Sequence, residues 1–232
     1  MRDSRERLIV ALDVSSAAAA KRIVAAVGDS ARYYKVGLQL YTAEGPQIVR
    51  DLVACGRQVF LDLKLHDIPN TVAAAVAEAC KLRVSMLTVH ASGGSKVMRA
   101  AVEASRQASP SPVILAVTVL TSLNEHDLET AGVRGTVVDQ VSRLAALAIS
   151  NGCHGVVASA HEAATLRSEL GDDFLIVTPG VRPAGRDHGD QARVVTPAEA
   201  IGSGASHIVV GRPITEAVDP AAEAREILAQ IT

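Results

Sequence analysis

The stretch VFLDLKLHDIPN, residues 59–70, ends an apolar run with Asp62, Lys64 and Asp67 inside six residues. Two carboxylates and an ammonium at the end of a buried strand are costly unless they pair or carry out a task. Side chains alternate along a strand, so Asp62 and Lys64, at i and i+2, share a face. An ammonium aimed by carboxylates can stabilise developing negative charge and then donate a proton. The alternative for Asp62 and Lys64 is a buried structural ion pair, which gains little stability for its desolvation cost. Asp67 lies past the strand and before Ile68-Pro69, where capping the next helix is the alternative.

Other polar residues follow apolar runs in the same way. Asp13 follows LIVAL, Lys35 sits between Tyr34 and Val36, and His90 follows SMLTV. Thr118 and Thr121 follow VILAV, and Ser159 closes GVVAS. TPGVRP carries Gly180 and Arg182, and VVGRP carries Gly211 and Arg212. Glycine lets backbone N–H groups approach an anion, and arginine adds bidentate donors, so these last two segments suit a phosphate. Between them runs RPAGRDHGDQAR, residues 182–193, which reads as a mobile surface loop or a lid. His90 reads as a hydrogen-bonded structural histidine, His66 as outward-facing or loop-bound, and Ser159 as a helix cap.

The elements that must position these residues are short and apolar. Candidate strands are 8–12, 33–37, 58–62, 85–89, 113–117, 155–159, 174–178 and 207–211. None has a long polar face, as expected of parallel strands covered on both sides. Ala-rich segments with helix signals lie between them. Ser15 or Ser16 caps a helix through Val27, and Pro69 and Pro197 open helices. Gly202 and Gly204 end the second of these, and Asp219-Pro220 begins the last helix. Eight strands alternating with about eight helices predict a single-domain α/β fold, a (β/α)8 TIM barrel over residues 1–232. Its functional site lies at the C-terminal strand ends, where the polar residues collect.

Composition narrows the classes. Lys and Arg total 23 against 25 Asp and Glu, for a net charge of −2, with no run of one sign. Aromatic residues make up only 2%. A nucleic-acid partner or an anionic membrane is not indicated. Cys55, Cys80 and Cys153 form no CxxC pair and read as three reduced thiols in or near the core. The N-terminal apolar run is too short for a secretory signal, so the expected location is the cytoplasm.

FLDLKLHDIPNTV resembles the signature of the orotidine 5′-monophosphate decarboxylase family, bacterial type. The pattern Asp-x-Lys-x-x-Asp-Ile-x-x-Thr is met by Asp62, Lys64, Asp67, Ile68 and Thr71. The likeness extends to ALDV, YYKVGLQL, VTVLTSL, TPGVRP, DQARVVTP and VVGRPIT. It implies a homodimeric barrel that converts orotidine 5′-monophosphate to UMP and CO2, the last step of pyrimidine nucleotide synthesis, with no metal or organic cofactor.

By the same resemblance, Asp62 sits beside the substrate carboxylate and Lys64 delivers a proton to C6. Lys35 lies between the carboxylates and the ribose, and Asp13 holds ribose hydroxyls. Asp67 and Thr71 reach into the neighbouring subunit's site. Thr121 lies near the pyrimidine, and Arg182, Gln191, Gly211 and Arg212 hold the phosphate.

Three alternatives stand beside this reading. Mg2+-dependent sugar-phosphate enzymes of the same superfamily, such as hexulose-phosphate synthase and ketogulonate-phosphate decarboxylase, share the Asp-x-Lys-x-x-Asp core. They resemble one another in having a metal-serving Glu where this chain has Lys35, and a lysine there repels a divalent cation. A Schiff-base aldolase lysine needs apolar or cationic surroundings, whereas Lys64 has aspartates on both sides. A non-catalytic phosphate-binding barrel has little use for a buried row of alternating charges.

Overall fold

The computed structural model describes residues 4–183 and 195–231. Eight parallel strands close on themselves in sequential order: β1 (Leu8–Ala11), β2 (Tyr33–Gly37), β3 (Gln58–Leu65), β4 (Met86–His90), β5 (Val113–Val117), β6 (Gly155–Val157), β7 (Leu175–Thr178) and β8 (His207–Val210). The barrel shuts where Leu8 pairs with Ile208 and Ile9 with Val209. Each predicted strand is found; β2 and β5 have the expected bounds, and the other six have an end moved by one to three residues.

Alternation divides each strand between two cores. Ile9, Ala11, Phe60, Met86, Leu115, Val177 and Val209 fill the barrel interior. Their neighbours Leu8, Val10, Val59, Leu61, Leu87, Ile114, Ile176 and Ile208 pack outward beneath the helices. Burial on both faces explains why the sequence shows continuous apolar runs. Gly155 permits the close approach of β6 to β7, because a β-carbon there would meet the Leu175 carbonyl oxygen.

The helix starts follow the predicted chemistry. Ser16 accepts from the Ala19 N–H, and Asp219 accepts from the Ala222 N–H. Ser159 and Glu162 form a reciprocal capping box at the start of the helix Ala160–Leu170. Pro69 and Pro197 each occupy a first helical turn. The described residues hold eleven α-helical segments rather than eight. One cause is the pair Gly45-Pro46, which splits the crossover after β2 into Leu38–Glu44 and Pro46–Ala54, with Gly45 at φ 65°. The thiols differ from one another: Cys153 is buried, Cys80 is intermediate, and Cys55 is exposed past the end of Pro46–Ala54. Burial pushes the Cys153 thiol up to about 12. No helix among the described residues is long and apolar enough to cross a membrane.

Candidate active site

At the C-terminal ends of the strands lies a cavity of about 480 Å³. Its apolar lining includes Ala11, Phe60 and Val209 from the barrel interior, with Val117, Val119, Leu120 and Val157 beside them. Its charged lining includes Asp13, Lys35, Asp62, Lys64, Arg182, Arg212 and Glu216. Charges set against apolar walls interact more strongly than they would in open water.

The charges from β1, β2 and β3 form an alternating row. Asp13 Oδ1 lies 2.7 Å from Lys35 Nζ, Lys35 Nζ lies 3.9 Å from Asp62 Oδ2, and Asp62 Oδ2 accepts a 2.8 Å hydrogen bond from Lys64 Nζ. The side chain of Asp62 is 10% exposed and that of Lys64 is 30% exposed. The carboxylate is thus largely withdrawn from water, while the ammonium keeps an open side toward the cavity. Such a row can hold a carbanion-like centre at Lys64 and polar hydroxyls at Asp13 and Lys35.

Asp62 and Lys64 meet as their spacing predicts, but the strand is longer and less regular than expected. β3 runs to Leu65 instead of stopping at Asp62. Leu61 pairs with Leu87 and Leu65 with Val89, so β3 holds two more residues than β4 over the same interval. Lys64 takes the left-handed conformation, φ 51°, within this irregularity. The displaced Lys64 N–H donates to Thr88 Oγ1 at 2.8 Å, and that hydroxyl donates to Asp62 Oδ1 at 3.0 Å. Thr88 was missed by sequence reasoning. Its signal was the one hydroxyl inside the apolar run MLTV, residues 86–89. Gly37 was missed too: a β-carbon there would lie 2.8 Å from Lys35 Nζ and 3.4 Å from Asp13 Oδ1.

The remaining candidates fall into three groups. Thr121, Gly180, Arg182, Gly211 and Arg212 line the cavity. Gly180 takes φ 75°, a conformation that disfavours a side chain. Val181 bridges Val195, and the Arg182 N–H donates to the Val195 carbonyl at 3.0 Å, so two segments after β7 are joined at the cavity rim. Gln191 and most of the expected lid, residues 184–193 of 182–193, lie outside the described residues.

Asp67 and Thr71 are exposed and do not line the cavity of their own chain. The Asp67 carboxylate accepts from the Ile68 N–H at 2.6 Å, one residue short of a helix cap; Ile68 holds the cap position of Pro69–Lys81.

His90 also differs from expectation. Its Nδ1 is buried with no hydrogen-bond partner among the described residues, and its ring packs against exposed His66, with centroids 5.2 Å apart. Burial, then the charges of His66 and Lys64, lower the His90 pKa.

A family profile described as orotidine 5′-phosphate decarboxylase / HUMPS family matches residues 6–227. The chain is 50% identical over 234 residues to an orotidine 5′-phosphate decarboxylase of Moorella thermoacetica, covering 98% of this chain and 93% of that protein. It is 52% identical over 227 residues to the one of Afipia carboxidovorans, covering 98% and 95%. Among solved structures, the orotidine 5′-phosphate decarboxylase of Lactobacillus acidophilus superposes with a TM-score of 0.89 at 38% identity, covering 98% of this chain and 99% of that one.

Proposed function

The chain belongs to the orotidine 5′-phosphate decarboxylase / HUMPS family, and from that premise we propose that it is a carboxy-lyase that converts orotidine 5′-monophosphate to UMP and CO2. The observation that carries this reading is the row Asp13, Lys35, Asp62, Lys64 in a cavity that also presents Gly180, Arg182, Gly211 and Arg212. The near-full-length relatives bearing that activity support it.

In this reading the phosphate binds at Arg182, Arg212 and the backbone of Gly180 and Gly211, with Gln191 completing the contact. The ribose hydroxyls meet Asp13 and Lys35, and the pyrimidine lies near Thr121. The substrate carboxylate on C6 faces Asp62. As the C6–carboxylate bond breaks, its electron pair stays on C6 in an in-plane orbital that the ring stabilises poorly. Lys64 attracts that charge more strongly as it grows, so its interaction favours the transition state over the ground state. A proton then passes from Lys64 Nζ to C6 and completes UMP. Asp62, held in a largely dry position beside the departing carboxylate, adds repulsion that is relieved as CO2 leaves. The phosphate lies far from C6, and its binding energy is used to orient the ring and exclude water.

Neither a metal nor an organic cofactor takes part in this scheme. Asp13 and Asp62, the carboxylates that would hold a divalent cation, already face the ammonium groups of Lys35 and Lys64. The working unit is a homodimer in which Asp67 and Thr71 reach the partner's cavity. Their exposure supports this, as does Ile68 beside them, a large apolar side chain left 66% exposed. Residues 1–232 act as one barrel domain in the cytoplasm.

The deciding experiment follows loss of orotate absorbance with orotidine 5′-monophosphate after EDTA treatment. Turnover that survives chelation supports the reading. No turnover with or without added Mg2+ rejects it, and turnover of a sugar phosphate that depends on Mg2+ selects the other branch of the family.

A further inference from the structure

We propose that Thr88 is a positioning residue that sets the Asp62–Lys64 geometry; its catalytic consequence rests on the decarboxylase reading above. Thr88 is fully buried and lies on β4 opposite the interval where β3 carries its two additional residues. Within that interval the Lys64 N–H has left the regular ladder, and Lys64 sits at φ 51°, where a residue with a β-carbon is held only by its surroundings. The Thr88 hydroxyl takes the place of a backbone acceptor by receiving this N–H at 2.8 Å. A hydroxyl has one proton, and Thr88 gives it to Asp62 Oδ1 at 3.0 Å.

Both directions of one hydroxyl are therefore spent on the reacting pair, one on the Lys64 backbone and one on the Asp62 carboxylate. With Oδ1 held by Thr88, the other oxygen, Oδ2, is left facing Lys64 Nζ at 2.8 Å and Lys35 Nζ at 3.9 Å. Removing the hydroxyl strips Oδ1 and the Lys64 N–H of these bonds in a largely buried place. The carboxylate is then free to rotate and the strained Lys64 backbone to relax, which moves the ammonium away from its position.

The test compares Thr88→Val, which keeps the shape without the hydroxyl, with Thr88→Ser, which keeps the hydroxyl without the methyl. We expect Thr88→Val to lose kcat by about 10- to 100-fold with KM nearly unchanged, since the lost contact acts on the transition state. Thr88→Ser is expected to stay within about threefold of the parent kcat. Hydrogen exchange of the Lys64 amide is the second readout. It should be slow in the parent and Thr88→Ser, and fast in Thr88→Val at matched global stability. Normal kcat in Thr88→Val, a Thr88→Ser variant as slow as Thr88→Val, or unchanged Lys64 exchange overturns the proposal. If the parent protein fails to decarboxylate the nucleotide, the functional reading falls while the amide exchange still judges Thr88. If Thr88→Val does not fold, Thr88→Ser decides: near-parent kcat and protection support the proposal, and their loss overturns it.

Discussion

A β-carbon on Gly37 would stand 2.8 Å from Lys35 Nζ, closer than the two can approach. Gly37 itself has an extended backbone, φ −97°, that alanine adopts without strain. The atom that must move is the tip of a flexible side chain, so the fold tolerates the change while the charge row does not. Gly37→Ala should leave stability unchanged or raise it by about 0.4–1 kcal/mol. It should lower kcat/KM by about 10- to 100-fold by pushing Lys35 out of line. Denaturant melts run beside steady-state kinetics check both halves, and parent-like kinetics would show that Lys35 need not hold this position.

Lys64→Ala should still bind the nucleotide but lose at least about 100-fold in kcat, the usual scale for a missing proton donor. Calorimetric titration with UMP and a stopped assay with orotidine 5′-monophosphate separate the two effects. A near-normal rate in this variant would remove Lys64 from the role of acid.

Arg212→Ala should weaken kcat/KM by about 10- to 100-fold, the equivalent of about 1.5–3 kcal/mol for a hydrogen bond to a charged group. Arg212 is exposed, so the thermal midpoint should hardly change. The loss should be much smaller with the nucleoside lacking its phosphate. An equal loss on both substrates would place the arginine elsewhere.

Mixing two inactive variants tests the shared site. Lys64→Ala and Asp67→Ala should each be nearly inactive alone. In a mixed dimer one of the two cavities regains an intact Lys64 and an intact Asp67, so activity should reappear after co-refolding. Continued inactivity of a verified mixed dimer would confine Asp67 to a role within its own chain.

The pH dependence of stability should carry a contribution from His90. Its pKa is lowered in the folded chain, first by burial and then by His66 and Lys64, with Asp62 opposing. As pH falls through about 6.5, the unfolded chain takes up the proton before the folded one. Stability present above that pH is therefore lost as pH falls toward the lower folded value. Denaturant midpoints at about pH 7.5 and about pH 5.5 should drop more for the parent than for His90→Gln. Equal losses would assign the acid sensitivity to other groups.

The barrel was legible because its strands are buried on both faces and so appear as apolar runs divided by caps and helix breakers. Ser16, Pro69, Ser159 and Asp219 act through contacts within a few residues, and a local pattern suffices to find them. Asp62 and Lys64 were legible for the same reason, being two residues apart on one strand. His90 was misread because its surroundings come from the segment after β3 rather than from its own strand; it packs on His66 where a hydrogen bond was expected.

Residue type and period, which the chain carries locally, determined which side chains face the barrel axis and that charge collects at one end. Height along the axis belongs to the tertiary structure. It depends on register between strands far apart in sequence, including the two-residue excess of β3 over β4. That register brings Thr88 to Asp62 across 26 residues of chain, and the neighbouring strand pair brings Asp13 to Lys35 across 22. Alternation assigns each residue a face, but only closure of the barrel decides which residues on that face lie within hydrogen-bonding distance.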